Sequence, residues 1–94
     1  MSTMGYQEPV HELPHEARDM HRALISLAEE LEAIDAYNQR ANACHDEALR
    51  SILEHNRDDE KEHAAMLLEW IRRTDDTFGT QVRKFLAANG SVAD

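Results

Sequence analysis

The sequence predicts an all-α protein: an antiparallel two-helix hairpin plus a short C-terminal helix, in a single unit over residues 1–94. Three observations predict it. Between Pro14 and Gly79 there is neither glycine nor proline and no cluster of β-branched residues, so helix propensity is unopposed. Apolar residues recur through that stretch at spacings of three and four, the mark of a helix with one buried stripe. The helical stretch has one natural break, at Asn42-Ala43-Cys44-His45-Asp46, where small and polar residues favour a turn.

Pro9 and Pro14 confine residues 1–14 to an extended arm or a short turn. The first helix, residues 15–43, carries Met20, Leu24, Leu27, Leu31 and Ile34 as a 3.5-residue stripe, the seam of a coiled-coil-like partner. The second, residues 46–74, carries Leu49, Ile52, Leu53, Met66, Leu67, Trp70 and Ile71, with Met66 and Trp70 expected in the core. Asp46 and Glu47 open it and Arg72 and Arg73 close it, matching the helix dipole at both ends. A third helix is expected over residues 75–88. It opens on Thr-Asp-Asp and places Phe78, Val82, Phe85 and Leu86 on one side despite Gly79; residues 89–94 read as a flexible tail.

Charge narrows the function. Ten basic residues against nineteen acidic give a net charge of −9. Such a chain repels phosphate backbones and anionic lipid, so nucleic-acid and membrane-surface roles drop out, and cations become the natural ligands. Cys44 is the one cysteine, which excludes an internal disulfide framework and fits a reducing compartment. No apolar run approaches the ~20 residues of a membrane span, and the first residues lack the apolar core of an export signal.

The second helix contains an anomaly. From Glu54 to Glu62 the apolar stripe disappears. Heptad steps from Leu53 reach Glu60 and then Leu67, while steps from Leu49 reach Asn56, His63 and Trp70. Glu60 and His63 therefore hold seam positions. In an antiparallel hairpin turning near residue 45, Glu30 is level with Glu60 and Leu27 with His63, roughly 22 Å from the turn. Glu30 borders the first helix's seam, with Tyr37 one heptad further on.

Carboxylates in a helix seam cost several kcal/mol unless neutralised. Arg57 and Lys61 fall on other faces of the helix, so a bound cation is the remedy the pattern suggests. Glu60 and His63 form the E-x-x-H by which di-iron carboxylate bundles supply a bridging Glu and a terminal His. Those bundles use one Glu from each of two helices and one E-x-x-H from each of the other two. This chain has one of each, half a site on half a four-helix bundle, which a two-fold-related copy would complete. Four glutamates balance two Fe(II) ions. The plainer reading is a solvent-facing charged helix, with His63 a surface histidine. His11, His15 and His21 read as exposed or capping residues, His55 and the Arg57-Asp58-Asp59 run as interface or solvated groups, and Cys44 as a bystander at the turn.

The segments EELEAIDAYNQR (Glu29 to Arg40) and HNRDDEKEHAAMLLEWIRR (His55 to Arg73) resemble the encapsulated ferritins, small ferritin-like proteins housed inside encapsulin shells. The resemblance runs from about Met20 to Arg73. It implies a homodimer forming a ferritin-like four-helix bundle within a ring, a decamer, and a cytoplasmic location inside an encapsulin nanocompartment. It implies ferroxidase activity: Fe(II) oxidised by O2 at a di-iron site between two chains and delivered for iron storage. The family's iron ligands map onto Glu30, Glu60 and His63, its nearby tyrosine onto Tyr37, and the carboxylates of an outer uptake site onto Glu29 and Glu32. Zn(II) or Ca(II) are possible substitutes for iron. Two departures stand out: Ala36 replaces a tryptophan found beside the outer site, and AANGSVAD lacks the apolar targeting peptide usual in the family. Rival readings are a metal-stapled helical dimer without turnover and a metal-free helical adaptor. A peroxidase of the rubrerythrin kind fits less well, because the cysteine-rich electron-transfer segment is missing.

Overall fold

The computed structural model describes residues 5–93. A 3₁₀ turn at Val10–Glu12 precedes α1 (His15–Ala43), α2 (Glu47–Thr74) and α3 (Asp76–Phe85). The described residues contain no strand, and no helix among them is long and apolar enough to cross a membrane.

Each junction has a local cause. At the hairpin turn the Asp46 carboxylate accepts a hydrogen bond from the Leu49 amide at 2.8 Å, so Asp46 caps α2 and lies just outside it. Arg50 donates from Nε and Nη2 to the Cys44 carbonyl, at 3.1 and 2.6 Å, tying the end of α1 to the first turn of α2. One residue, Asp75, ends α2 and begins α3: its amide donates to the Ile71 carbonyl, and its side chain accepts from the Phe78 amide at 2.9 Å. Glu69 receives Arg72 and Arg73 in the last turns of α2; the Arg72 hydrogen bonds, then those of Arg73, hold its carboxyl down at about 2.

The third helix is shorter than its apolar pattern suggests. It stops at Phe85, because Leu86 turns extended and Ala87 takes a left-handed φ of 63°. Its start lies close on α2: a Cβ at Gly79 would stand 2.9 Å from the Arg72 carbonyl oxygen, so only glycine fits there.

At the other end, the N-terminal arm folds back on α1. Tyr6 stacks on His21 with ring centroids 3.9 Å apart, and Arg18 Nε donates to the Val10 carbonyl at 3.1 Å. His21 is thus half-covered by the arm and is neither an exposed nor a capping residue.

α1 and α2 pack antiparallel along their length, and α3 packs on α2. The buried apolar residues are few and mostly small: Ala23, Ala41, Ala64 and Ile71. Much of the expected core is outside. Leu24, Leu31, Leu49 and Ile52 are exposed, Met66 is 63% exposed and Trp70 is 40% exposed. The placement of Met66 and Trp70 in the core is thereby corrected. One hairpin leaves them uncovered: both line the groove beside His63, and Trp70 also lines a groove with Asp19, Arg22 and Ala23 of α1.

Candidate metal centre

Three donors meet where the apolar stripe fails. Glu30 projects from α1, and Glu60 and His63 project from adjacent turns of α2. His63 Nδ1 lies 3.4 Å from Glu60 Oε2 and 3.6 Å from Glu30 Oε2. One ligand atom from each falls within 4.8 Å of the other two, the one such group of three among the described residues. Donors about 2.1 Å from a single ion stand about 3.0–4.2 Å apart, so side-chain shifts of about an ångström would close the set on a cation.

The environment favours that closure. Glu30 Oε2 is buried and has no hydrogen-bond partner, and the distances to His63 are too long to supply one. An orphaned carboxylate oxygen among two further donors fits a cation and little else. Nor do the nearby basic residues neutralise the group. Arg57 donates to Asp58 Oδ1 and across the hairpin to Asn38 Oδ1, while Lys61 pairs with Asp58. The Asp58 carboxyl is held low by the Arg57 hydrogen bond and then by that of Lys61. The carboxylate side chains of Glu30 and Glu60 are 25% and 23% exposed, whereas His63 is 51% exposed. The layer is therefore open on the His63 side, where a shallow groove of about 350 Å³ is lined by His63, Met66, Leu67 and Trp70.

His63 is a surface histidine, as the plainer reading has it, with its imidazole beside two half-buried carboxylates. The other candidates sit apart from it. Tyr37 is half-buried on α1 with the Arg40 guanidinium 5.1 Å from its ring centroid. Glu29 and Glu32 are exposed on α1 and do not join the three-donor group.

Arg57, too, departs from its sequence-based placement. Arg57, assigned to a solvated or interface run, keeps only 19% of its side chain exposed and spans the gap between α1 and α2. Its distance from Asn38, nineteen positions along the chain, left no periodic signal. His55 and Asp59 of the same region do form an exposed pair at 3.2 Å.

Comparison with known proteins gives a consistent result. A family profile described as EncFtn-like matches residues 5–89. The chain is 47% identical over 91 residues to an encapsulated ferritin-like protein of Rhodospirillum rubrum, covering 97% of this chain but 65% of that protein. It is 49% identical to a ferritin-like protein of Thermotoga maritima, covering 95% of this chain and 78% of the relative. An encapsulin nanocompartment cargo protein of Myxococcus xanthus is 36% identical over 77% of this chain and 58% of its own length. Among solved structures, a crystal structure of a Nitrosomonas europaea protein is 62% identical, with a TM-score of 0.92 over 96% of this chain and 99% of that one.

Proposed function

The chain belongs to the EncFtn-like family, and on that premise we propose that it is a ferroxidase whose substrate is Fe(II), bound between two copies of the chain and oxidised by O2. The observation that carries this reading is the orphaned Glu30 oxygen converging with Glu60 and His63 on the open side of the hairpin.

Two hairpins related by a two-fold axis bring together two of each donor. Glu60 of each chain bridges the two ions, and Glu30 and His63 hold them from either side. Four carboxylates offset the charge of two ferrous ions. Each ion gives one electron to O2, which with two protons leaves at the level of hydrogen peroxide. Oxidation adds a positive charge per ion, which hydroxide taken from water offsets, one proton being released for each hydroxide. Carboxylate oxygen suits the harder ferric ion and imidazole suits iron in both states, so one donor set serves before and after electron transfer.

Glu29 and Glu32, exposed on α1, collect Fe(II) on its way in, and Tyr37, one heptad from Glu30, is a phenol outside the donor set. The dimers close into a ring, a decamer. An open ring holds no mineral, so the ferric product passes to a surrounding container. The Myxococcus relative's description as nanocompartment cargo supports an encapsulin shell as that partner and the interior of a cytoplasmic compartment as the location.

Stopped-flow absorbance of ferric product tests the reading. Glu30→Gln and Glu60→Gln should each slow Fe(II) oxidation by more than the roughly 10–100-fold that loss of an outer supporting group costs. Wild-type rates in either variant would overturn the assignment. A metal staple using the same donors would bind Fe(II) anaerobically and consume no O2 on exposure to air.

A further inference from the structure

The donor layer works only if two helices stay level, and the packing between them is poorly suited to keeping them so. Three of the four buried apolar side chains are alanines. Small residues make low ridges, which resist axial sliding weakly. On the turn side of the donors lies a polar device that does resist it. Arg57 Nη1 donates to Asn38 Oδ1 at 3.2 Å, the one hydrogen bond from α2 to α1 among the described residues beyond the Arg50–Cys44 tie at the turn. Both ends are anchored. The guanidinium is held from behind by Asp58, to which Nε donates at 3.0 Å, and Asp58 is in turn paired with Lys61 at 3.1 Å. Asn42 Nδ2 donates to the Asn38 backbone carbonyl at 2.8 Å and to the same Oδ1 at 3.3 Å, fixing the acceptor.

We propose that Arg57 and Asn38 form a register clasp, a pair of positioning residues that hold Glu30 level with Glu60 and His63. A slide of one residue along α2, about 1.5 Å, would break the Arg57 hydrogen bond and take Glu30 out of the three-donor group. Arg57 lies one turn from Glu60 on the α1-facing side, so the clasp acts on the donors through less than two turns of helix. This inference rests on the metal reading of the three donors.

Anaerobic Co(II) binding, read by calorimetry and by the visible bands of the bound ion, tests it alongside side-chain Overhauser contacts between α1 and α2 in metal-free protein. Arg57→Ala and Asn38→Ala should each retain helix content, weaken Co(II) binding about tenfold or more, shift the bands and blur the interhelical contacts. The double variant should be no worse than either single one. Asn38→Asp, which keeps an acceptor for Arg57, should restore wild-type behaviour even where the alanine variants fold poorly. Unchanged affinity, bands and contacts in well-folded Arg57→Ala, or additive losses in the double variant, would overturn the clasp. If wild-type protein shows no Co(II) uptake that Glu60→Gln abolishes, the ferroxidase reading falls, and the Overhauser contacts alone decide the clasp.

Discussion

Glu30 is held in a position that favours function over stability. Its Oε2 is buried without a hydrogen-bond partner, and a buried unsatisfied group of this kind costs about 1–3 kcal/mol. Glu30→Gln removes the charge and supplies an amide that can donate to Glu60. The metal-free variant should therefore be more stable than wild type by about 1 kcal/mol, raising its melting midpoint by roughly 4–8 °C. Added Fe(II) should then raise the midpoint of wild type and leave the variant nearly unmoved, since only the former gains a ligand on folding. Thermal melts with and without anaerobic Fe(II) check both halves. Equal metal-free stabilities would mean the Glu30 oxygen is solvated after all. At this scale the donors were legible because a heptad count is a statement about faces, and Glu60 and His63 broke an apolar face. Arg57 was not legible. A face count says where a side chain starts, and an arginine's reach decides where it ends.

At the scale of elements, capping chemistry marks the starts of helices more clearly than anything marks their ends. Asp46 and Asp75 each accept from an amide three residues on, so both starts carry an acidic cap in the sequence. The end of α3 has no such mark. A left-handed residue usually announces itself as glycine, but here Ala87 adopts that conformation, and an apolar pattern extended to residue 88 runs past the stop at Phe85. Gly79 had the opposite fault: it looked like a blemish in a helix and is a contact requirement. Gly79→Ala would press a methyl to 2.9 Å from the Arg72 carbonyl oxygen, an atom of the α2 backbone that cannot swing aside. Helix propensity alone would favour alanine by about 1 kcal/mol, whereas overpacking costs about 1–3 kcal/mol. The clash wins, so the variant should be destabilised and α3 amides should exchange faster than those of α1. A more stable Gly79→Ala protein would show that α3 is free to move away from α2.

The whole molecule carries more surface than a chain of its mass should. Its accessible area is 7247 Å², against about 5,500 Å² for a folded monomer of 10.8 kDa. Its radius of gyration is 16.9 Å, where a compact domain of this length gives about 12 Å. The excess, well over a thousand Å², exceeds the roughly 800 Å² per partner of a standard interface. Much of its apolar part, Leu24, Leu31, Met66 and Trp70 included, lies on the hairpin's long helices, two of these residues lining the groove beside His63. The stripes were readable in sequence as apolar, but not as uncovered, because periodicity does not say whether the covering helix belongs to the same chain. Met66→Glu discriminates. At 63% exposure the substitution should cost the isolated hairpin little, within about 0.5 kcal/mol. If a second copy covers this face, a buried charge there should abolish assembly and, with it, Fe(II) oxidation, while helix content persists. Each copy brings a charge of −9, so association of the metal-free wild type should strengthen with added salt and strengthen further with Fe(II), which the donors bind. Sedimentation velocity on both proteins, at low and high salt and with anaerobic Fe(II), reads all of these together. A Met66→Glu protein that assembles and turns over like wild type would place the partner on another face and leave the three donors as a half-site without its complement.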